Sequence, residues 1–200
     1  MSARYRTLAA PFTFASDPVK GSRFVTVVGP APDEAAAMAV VHATEAAHPG
    51  ADHCCWAWRL LDGRSRSWDA AEPRGSAGRP ILAQLEGHEV VNAVAVVVRY
   101  FGGTKLGVGG LIRAYGGAAG MALDRAEVVE VAATRELVIA YGYADTAAVE
   151  AALAGAPVTV IEAAYDASVT LRVRVEVDAA EALNAALRAR TSGRVEASAP

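Results

Sequence analysis

The chain has 200 residues, 53% of them hydrophobic and 20% charged, with a formal net charge of −3. Such a chain folds around a core, and its length allows one domain or two small ones. The negative total excludes bulk basic charge as a basis for nucleic-acid binding, and only two cysteines, adjacent as Cys54-Cys55, exclude a disulfide framework.

The start, Met1 to Tyr5, has no apolar core of signal-peptide length, and no stretch approaches ~18 continuous apolar residues. The expectation is therefore a cytoplasmic protein with reduced thiols and no membrane span. Arg4 to Phe14 reads as an irregular or extended entry. Lys20-Gly21-Ser22 is a turn and Arg23 to Gly29 a strand. Asp33 is a candidate N-cap for a helix that runs on to Pro49-Gly50. Cys54 to Leu61 is the next strand, on which Trp56 and Trp58 share one face. Asp62 to Gly78 reads as a long polar loop, and loops of that length in a compact domain are usually functional or mobile. Arg79 to Gly87 is a short helix, with Pro80 in its first turn and Gly87 at its end.

The central stretch follows. Val90 to Val98 is an apolar run rich in Val, which reads as a strand covered on both faces. After Arg99-Tyr100-Phe101 comes Gly102-Gly103-Thr104-Lys105-Leu106-Gly107-Val108-Gly109-Gly110, a glycine loop carrying one lysine. From Leu111 the spacing becomes helical, with Leu111, Ile112, Tyr115, Ala118, Ala119 and Ala122 on one stripe. A helix N-terminus after a glycine loop suits an anion, although the pattern is neither GxGxxG nor GxxxxGK[ST]. Val128 to Val131 is one more strand.

A boundary falls near Ala132 to Thr134, giving domains 1–133 and 134–200. The second part reads strand (Arg135 to Tyr143), helix capped by Asp145, strand (Val158 to Tyr165), strand (Val169 to Val177), helix (Ala179 to Arg190), strand (Arg194 to Ser198). That βαββαβ order is the ferredoxin-like plan, so the fold class is α+β. Charge is divided unevenly. Eight Lys/Arg stand against five Asp/Glu from Arg59 to Arg113, and six against nine from Arg135 to Pro200. Any polyanion site belongs to the first part.

Three separated segments carry a resemblance: KGSRF at Lys20–Phe24, EPRGSAGRPIL at Glu72–Leu82, and VVVRYFGGTKLGVGGLIRAY at Val96–Tyr115. Together they are similar to the signature of the YigZ/IMPACT family, over about Lys20 to Leu123. The resemblance implies an N-terminal domain like the second domain of a small-subunit ribosomal protein and domain IV of elongation factor G. It also implies a C-terminal domain like the last domain of elongation factor G. It links the chain to translational control, which eukaryotic members exert by competing with a stress kinase for its activating partner. For bacterial members it carries both a peptidase label and a proposal of nucleic-acid binding. The family pattern has a glycine where this chain has Ala71, a serine where it has Arg74, and His-Asn-Cys where it has His53-Cys54-Cys55.

Among candidate chemistries, His53 and Cys55 share a strand face roughly 6.5–7 Å apart, too far for a direct hydrogen bond. The four histidines and two cysteines lack metal-ligand spacing, and no cofactor motif occurs. No metal, cofactor or catalytic residue is therefore assigned. The favoured reading is an anion-binding surface made by Arg74, Arg79, Arg99, Tyr100, Lys105 and Arg113. His53, Glu72, Gly102, Gly103, Gly109 and Gly110 would organise its loops. The expected function is a non-enzymatic factor that binds RNA, the ribosome or translation factors. The alternatives are a peptidase-like hydrolase using Glu72 and His53, or a protein-interaction module anchored by tryptophans.

Overall fold

In the computed structural model, which describes residues 4–200, the chain forms two units, residues 5–131, and residues 132–200 together with Arg4. The first unit opens with three strands, β1 (Arg4–Leu8), β2 (Phe12–Val19) and β3 (Ser22–Pro30). Helix α1 (Glu34–Ala47), β4 (His53–Arg59), β5 (Ser65–Trp68) and α2 (Gly78–Gly87) follow. Strand β6 (Ala93–Tyr100), α3 (Val108–Leu123) and β7 (Val128–Ala132) complete the unit. Five strands make one antiparallel sheet in the order β2-β3-β6-β4-β5, while β1 and β7 form a separate pair.

The valine run lies at the centre of this sheet, with Ala93 to Arg99 all buried. Side chains alternate across a strand, so the two faces separate cleanly. Cys55, Ala57, Ala95 and Val97 join Phe24 and Val28 in the core under α2 and α3. Trp56, Trp58, Val94 and Val96 pack with Ala37 and Val41 of α1 on the other face. Asp33 caps α1, accepting the Ala36 N–H at 2.8 Å.

Several expectations change here. The entry read as irregular or extended is extended, as two strands: β2 is an edge strand that turns Phe12 and Phe14 toward the core, too one-sided a pattern to stand out as a strand. The long loop contains β5, whose polar sequence Ser-Arg-Ser-Trp pairs with β4 at the sheet edge and needs no apolar alternation. The central strand begins at Ala93 because Asn92 takes φ +50°, which breaks the extended run. Helix α3 starts three residues before the predicted Leu111.

In the second unit, β8 (Thr134–Tyr141), α4 (Thr146–Ala154), β9 (Val158–Tyr165), β10 (Val169–Glu176), α5 (Ala180–Thr191) and β11 (Ala197–Ser198) give the βαββαβ order. The sheet runs β11-β8-β10-β9 and is antiparallel throughout, the ferredoxin-like arrangement. Val169, Leu171, Val173 and Val175 are buried, while Thr170, Arg172 and Arg174 are exposed. Asp145 does not cap α4 with its side chain. Its carboxylate instead accepts from Arg194, at 2.6 Å from Nη2, and that guanidinium holds the carboxyl below the usual range.

Candidate functional site

At one end of the face beneath α2 and α3, the inward positions of three adjacent strands turn from apolar to polar. They carry Ser22 on β3, Arg99 on β6 and His53 on β4, with His53 directly opposite Arg99 in the ladder. Glu72 reaches them from the loop after β5, and Tyr115 from α3. Glu72 Oε1 accepts from Arg99 Nη1 at 2.7 Å and from the Tyr115 hydroxyl at 2.8 Å, with His53 Nε2 3.6 Å away. Arg99 Nη2 donates to Ser22 Oγ at 3.1 Å, and Ser22 Oγ also accepts the Gly102 N–H at 3.3 Å. The Arg99 and Glu72 side chains are 4% and 5% exposed, so each charge persists in the interior because the other faces it.

The segment that delivers Glu72 is wound around Asp69. Its carboxylate accepts backbone N–H groups from Gly75 (2.8 Å), Ala77 (3.0 Å) and Gly78 (2.8 Å). Burial pushes this carboxyl up, but those three donors and nearby Arg74 outweigh it and hold the pKa below the ordinary value. A depressed carboxylate pKa contributes stability above the unfolded value, and that contribution is lost as pH falls through the folded value. Asp69→Asn should therefore cost about 1–3 kcal/mol at neutral pH. Its gap from the wild type should narrow below pH ~4, read from denaturation midpoints across pH. Ala71, the glycine position of the family pattern, is not at positive φ; Ala70 is, at +51°.

Neither thiol is ionised at neutral pH. Burial, reinforced by Glu72 and Asp69, pushes Cys55 up to about 12, and its Sγ–H donates to the Asp69 carbonyl at 3.2 Å. Burial, with Glu45, pushes Cys54 up to about 12. Burial also raises the Tyr115 hydroxyl, as do Cys55 and Glu72, so it stays a donor. The hydrolase alternative would use Glu72 as a base, yet its Oε1 is already engaged by Arg99 and Tyr115.

The glycine loop closes the site. Gly102 lies against the turn between β2 and β3 so tightly that an added Cβ would sit 1.9 Å from the Gly21 carbonyl carbon. Gly103 takes φ +81°, and Gly109 and Gly110 lie in the first turn of α3. Gly107 precedes that helix at φ +71°, with no side chain capping the helix and no acid in its first turn. The N-terminus of α3 thus presents N–H groups without a local side-chain acceptor. Beside it opens a pocket of about 370 Å³, lined by Phe101, Leu106, Val108, Leu111, Lys105 and the Glu72–Arg99–His53 cluster.

The proposed anion-binding residues take different positions. Arg99 is buried and paired with Glu72, so its charge is met inside the protein. Tyr100, the next residue on β6, points to the opposite face, where its hydroxyl lies 2.7 Å from His48 Nδ1 and Arg23 covers its ring. Arg74 and Arg79 are exposed. Lys105 lines the pocket, and Arg113 lines a neighbouring depression with Lys20. Leu106 borders both. Sequence reasoning missed Ser22 and Tyr115 as members of the polar cluster, and Lys20 as a cation of this surface. Lys20 and Ser22 stood in KGSRF, but nothing local showed that the turn meets the glycine loop. Among the described residues no group of three or more His, Cys, Asp or Glu could hold a metal ion, and no helix is long and apolar enough to cross a membrane.

Comparison with known proteins places this site in context. The family model of the Impact N-terminal domain matches residues 20–123, which include all of the polar cluster and the glycine loop. A domain of unknown function (DUF1949) matches residues 139–194. The IMPACT family member YigZ of Escherichia coli (strain K12) is 39% identical over 169 residues, covering 82% of each chain. An IMPACT family member of Haemophilus influenzae is 32% identical over 182 residues, covering 88% of each. A solved crystal structure of a hypothetical protein superposes with a TM-score of 0.83 at 34% identity, covering 100% of this chain and 98% of that one. With the Impact N-terminal domain matched across the whole site, and relatives aligned across both units, the chain belongs to the IMPACT family.

Proposed function

We propose that the first unit is a non-enzymatic RNA-binding module acting on the translation machinery. The observation that carries this reading is the uncapped α3 N-terminus flanked by Lys20, Lys105 and Arg113. None of these three cations has an ion-pair partner among the described residues. Several other surface arginines do: Arg64 and Arg66 meet Glu34, Arg174 meets Glu136, and Arg188 meets Glu196. Cations without neighbouring acids, gathered around free N–H groups, suit the phosphates of a polyanion. Arg74 and Arg79 are exposed, on the loop after β5 and in the first turn of α2.

The test is charge reversal. At about 0.05 M salt, Lys105→Glu combined with Arg113→Glu should weaken binding of a single-stranded oligoribonucleotide about 100-fold, measured by fluorescence anisotropy. Equal affinity in the variant would overturn the reading. A second reading, a protein partner in the same pathway, is favoured by the exposed apolar side chains of Phe101, Val108 and Ile112 near the loop. Association through them would be little affected by salt.

A further inference from the structure

We propose that the 370 Å³ pocket receives a single unstacked base of that RNA, and that a phosphate of the same strand lies between Lys20 and Arg113. This deepens the RNA reading and rests on it. The pocket's walls are apolar: Leu106, Val108 and Leu111 on one side and Phe101 at the mouth. Phe101 is 46% exposed despite its size. Its backbone N–H donates to Asp52 Oδ2 at 2.7 Å, which fixes the residue's position, and the Arg99 guanidinium lies 5.5 Å from its ring centroid. A ring held this way is a stacking platform, and every base has a π-face to lay on it. The floor is polar, with Glu72, Arg99 and the partly exposed edge of His53. A base presents hydrogen-bonding edges to such a floor, whereas an aliphatic side chain presents none.

The charges around the pocket choose between a nucleic acid and a peptide terminus. A single carboxylate needs one cation or one helix end. Here Lys105 stands at the pocket, and Lys20 and Arg113 line a second depression of about 180 Å³ across Leu106. Repeated cations on either side of one apolar ridge match the repeat of a phosphate backbone. A duplex keeps its bases stacked and paired, so the fitting partner is single-stranded.

The experiment compares two probes: a single-stranded oligoribonucleotide of about ten residues and an abasic oligonucleotide of the same length. Each is titrated against the wild-type chain, Phe101→Ala, Val108→Glu and the pair Lys20→Glu with Arg113→Glu. Phe101 and Val108 are exposed, and a thermal melt checks that these variants fold as the wild type does. Phe101→Ala and Val108→Glu should weaken the base-bearing probe about tenfold, and Phe101→Ala should leave the abasic probe unchanged. The double charge reversal should weaken both probes. If the wild type binds both equally, or Phe101→Ala changes neither, the base pocket is overturned while the RNA reading stands. If the wild type binds neither, both readings fall.

Discussion

Arg99→Met should lower the free energy of unfolding by about 3–5 kcal/mol, the cost of leaving a buried carboxylate without its counter-ion. The loss arises because Glu72 cannot reach water from its position, 5% exposed beneath α3. Tyr115 and a neighbouring histidine would remain to face it, but neither supplies the fixed charge of a guanidinium. Adding Glu72→Gln to that variant should recover most of the loss, because the uncompensated charge is then gone. Urea denaturation of the two single variants and the double gives the coupling directly. If the two single losses simply added, the pair would not be the organising contact of the site.

Gly102→Ala has a comparable effect by a different route. The added methyl would fall 1.9 Å from the Gly21 carbonyl carbon and 2.3 Å from the Ser22 nitrogen, both backbone atoms that no side-chain rotation can move aside. The turn between β2 and β3 must shift, which also disturbs Ser22 Oγ as acceptor for Arg99 and the Gly102 N–H. The expected cost is roughly 3 kcal/mol, measured by chemical denaturation. The shift also moves Lys20, so RNA affinity should fall even where the variant is folded. Gly103→Ala makes the useful contrast, since no atom lies within 4 Å of its added Cβ and only its φ of +81° resists the change.

The sequence made some of these features readable and hid others, for physical reasons that differ by residue. The valine run announced a strand buried on both faces because no polar residue interrupts Val94 to Val98. The alternation of Val169 to Val175 announced a one-sided strand, and the βαββαβ order of the second unit followed from periodicity together with helix start and stop residues. Strand β5 was hidden because an edge strand needs pairing partners rather than apolar side chains. The polar cluster was only half visible. Glu72 and His53 were legible as loop and strand-end polar residues, but Arg99 was read as a surface cation. Its burial depends on Glu72, 27 positions earlier, reaching the same point from a loop. Tyr115 sat on a helical stripe with apolar neighbours, where nothing distinguishes a packed ring from one whose hydroxyl meets a carboxylate. Lys20 joins Arg113 only because the β2–β3 turn packs against the glycine loop, a contact between segments 80 residues apart that no local pattern encodes.

If the first unit binds RNA as proposed, the salt dependence of that binding tests the cationic surface most directly. Each phosphate contact on a single strand contributes about −0.7 to the slope of log affinity against log salt. Three cations at the α3 N-terminus predict a wild-type slope of about −2, and a slope near zero after Lys20, Lys105 and Arg113 are all changed to Glu. A wild-type affinity indifferent to salt, or a slope that survives the triple reversal, would contradict the account.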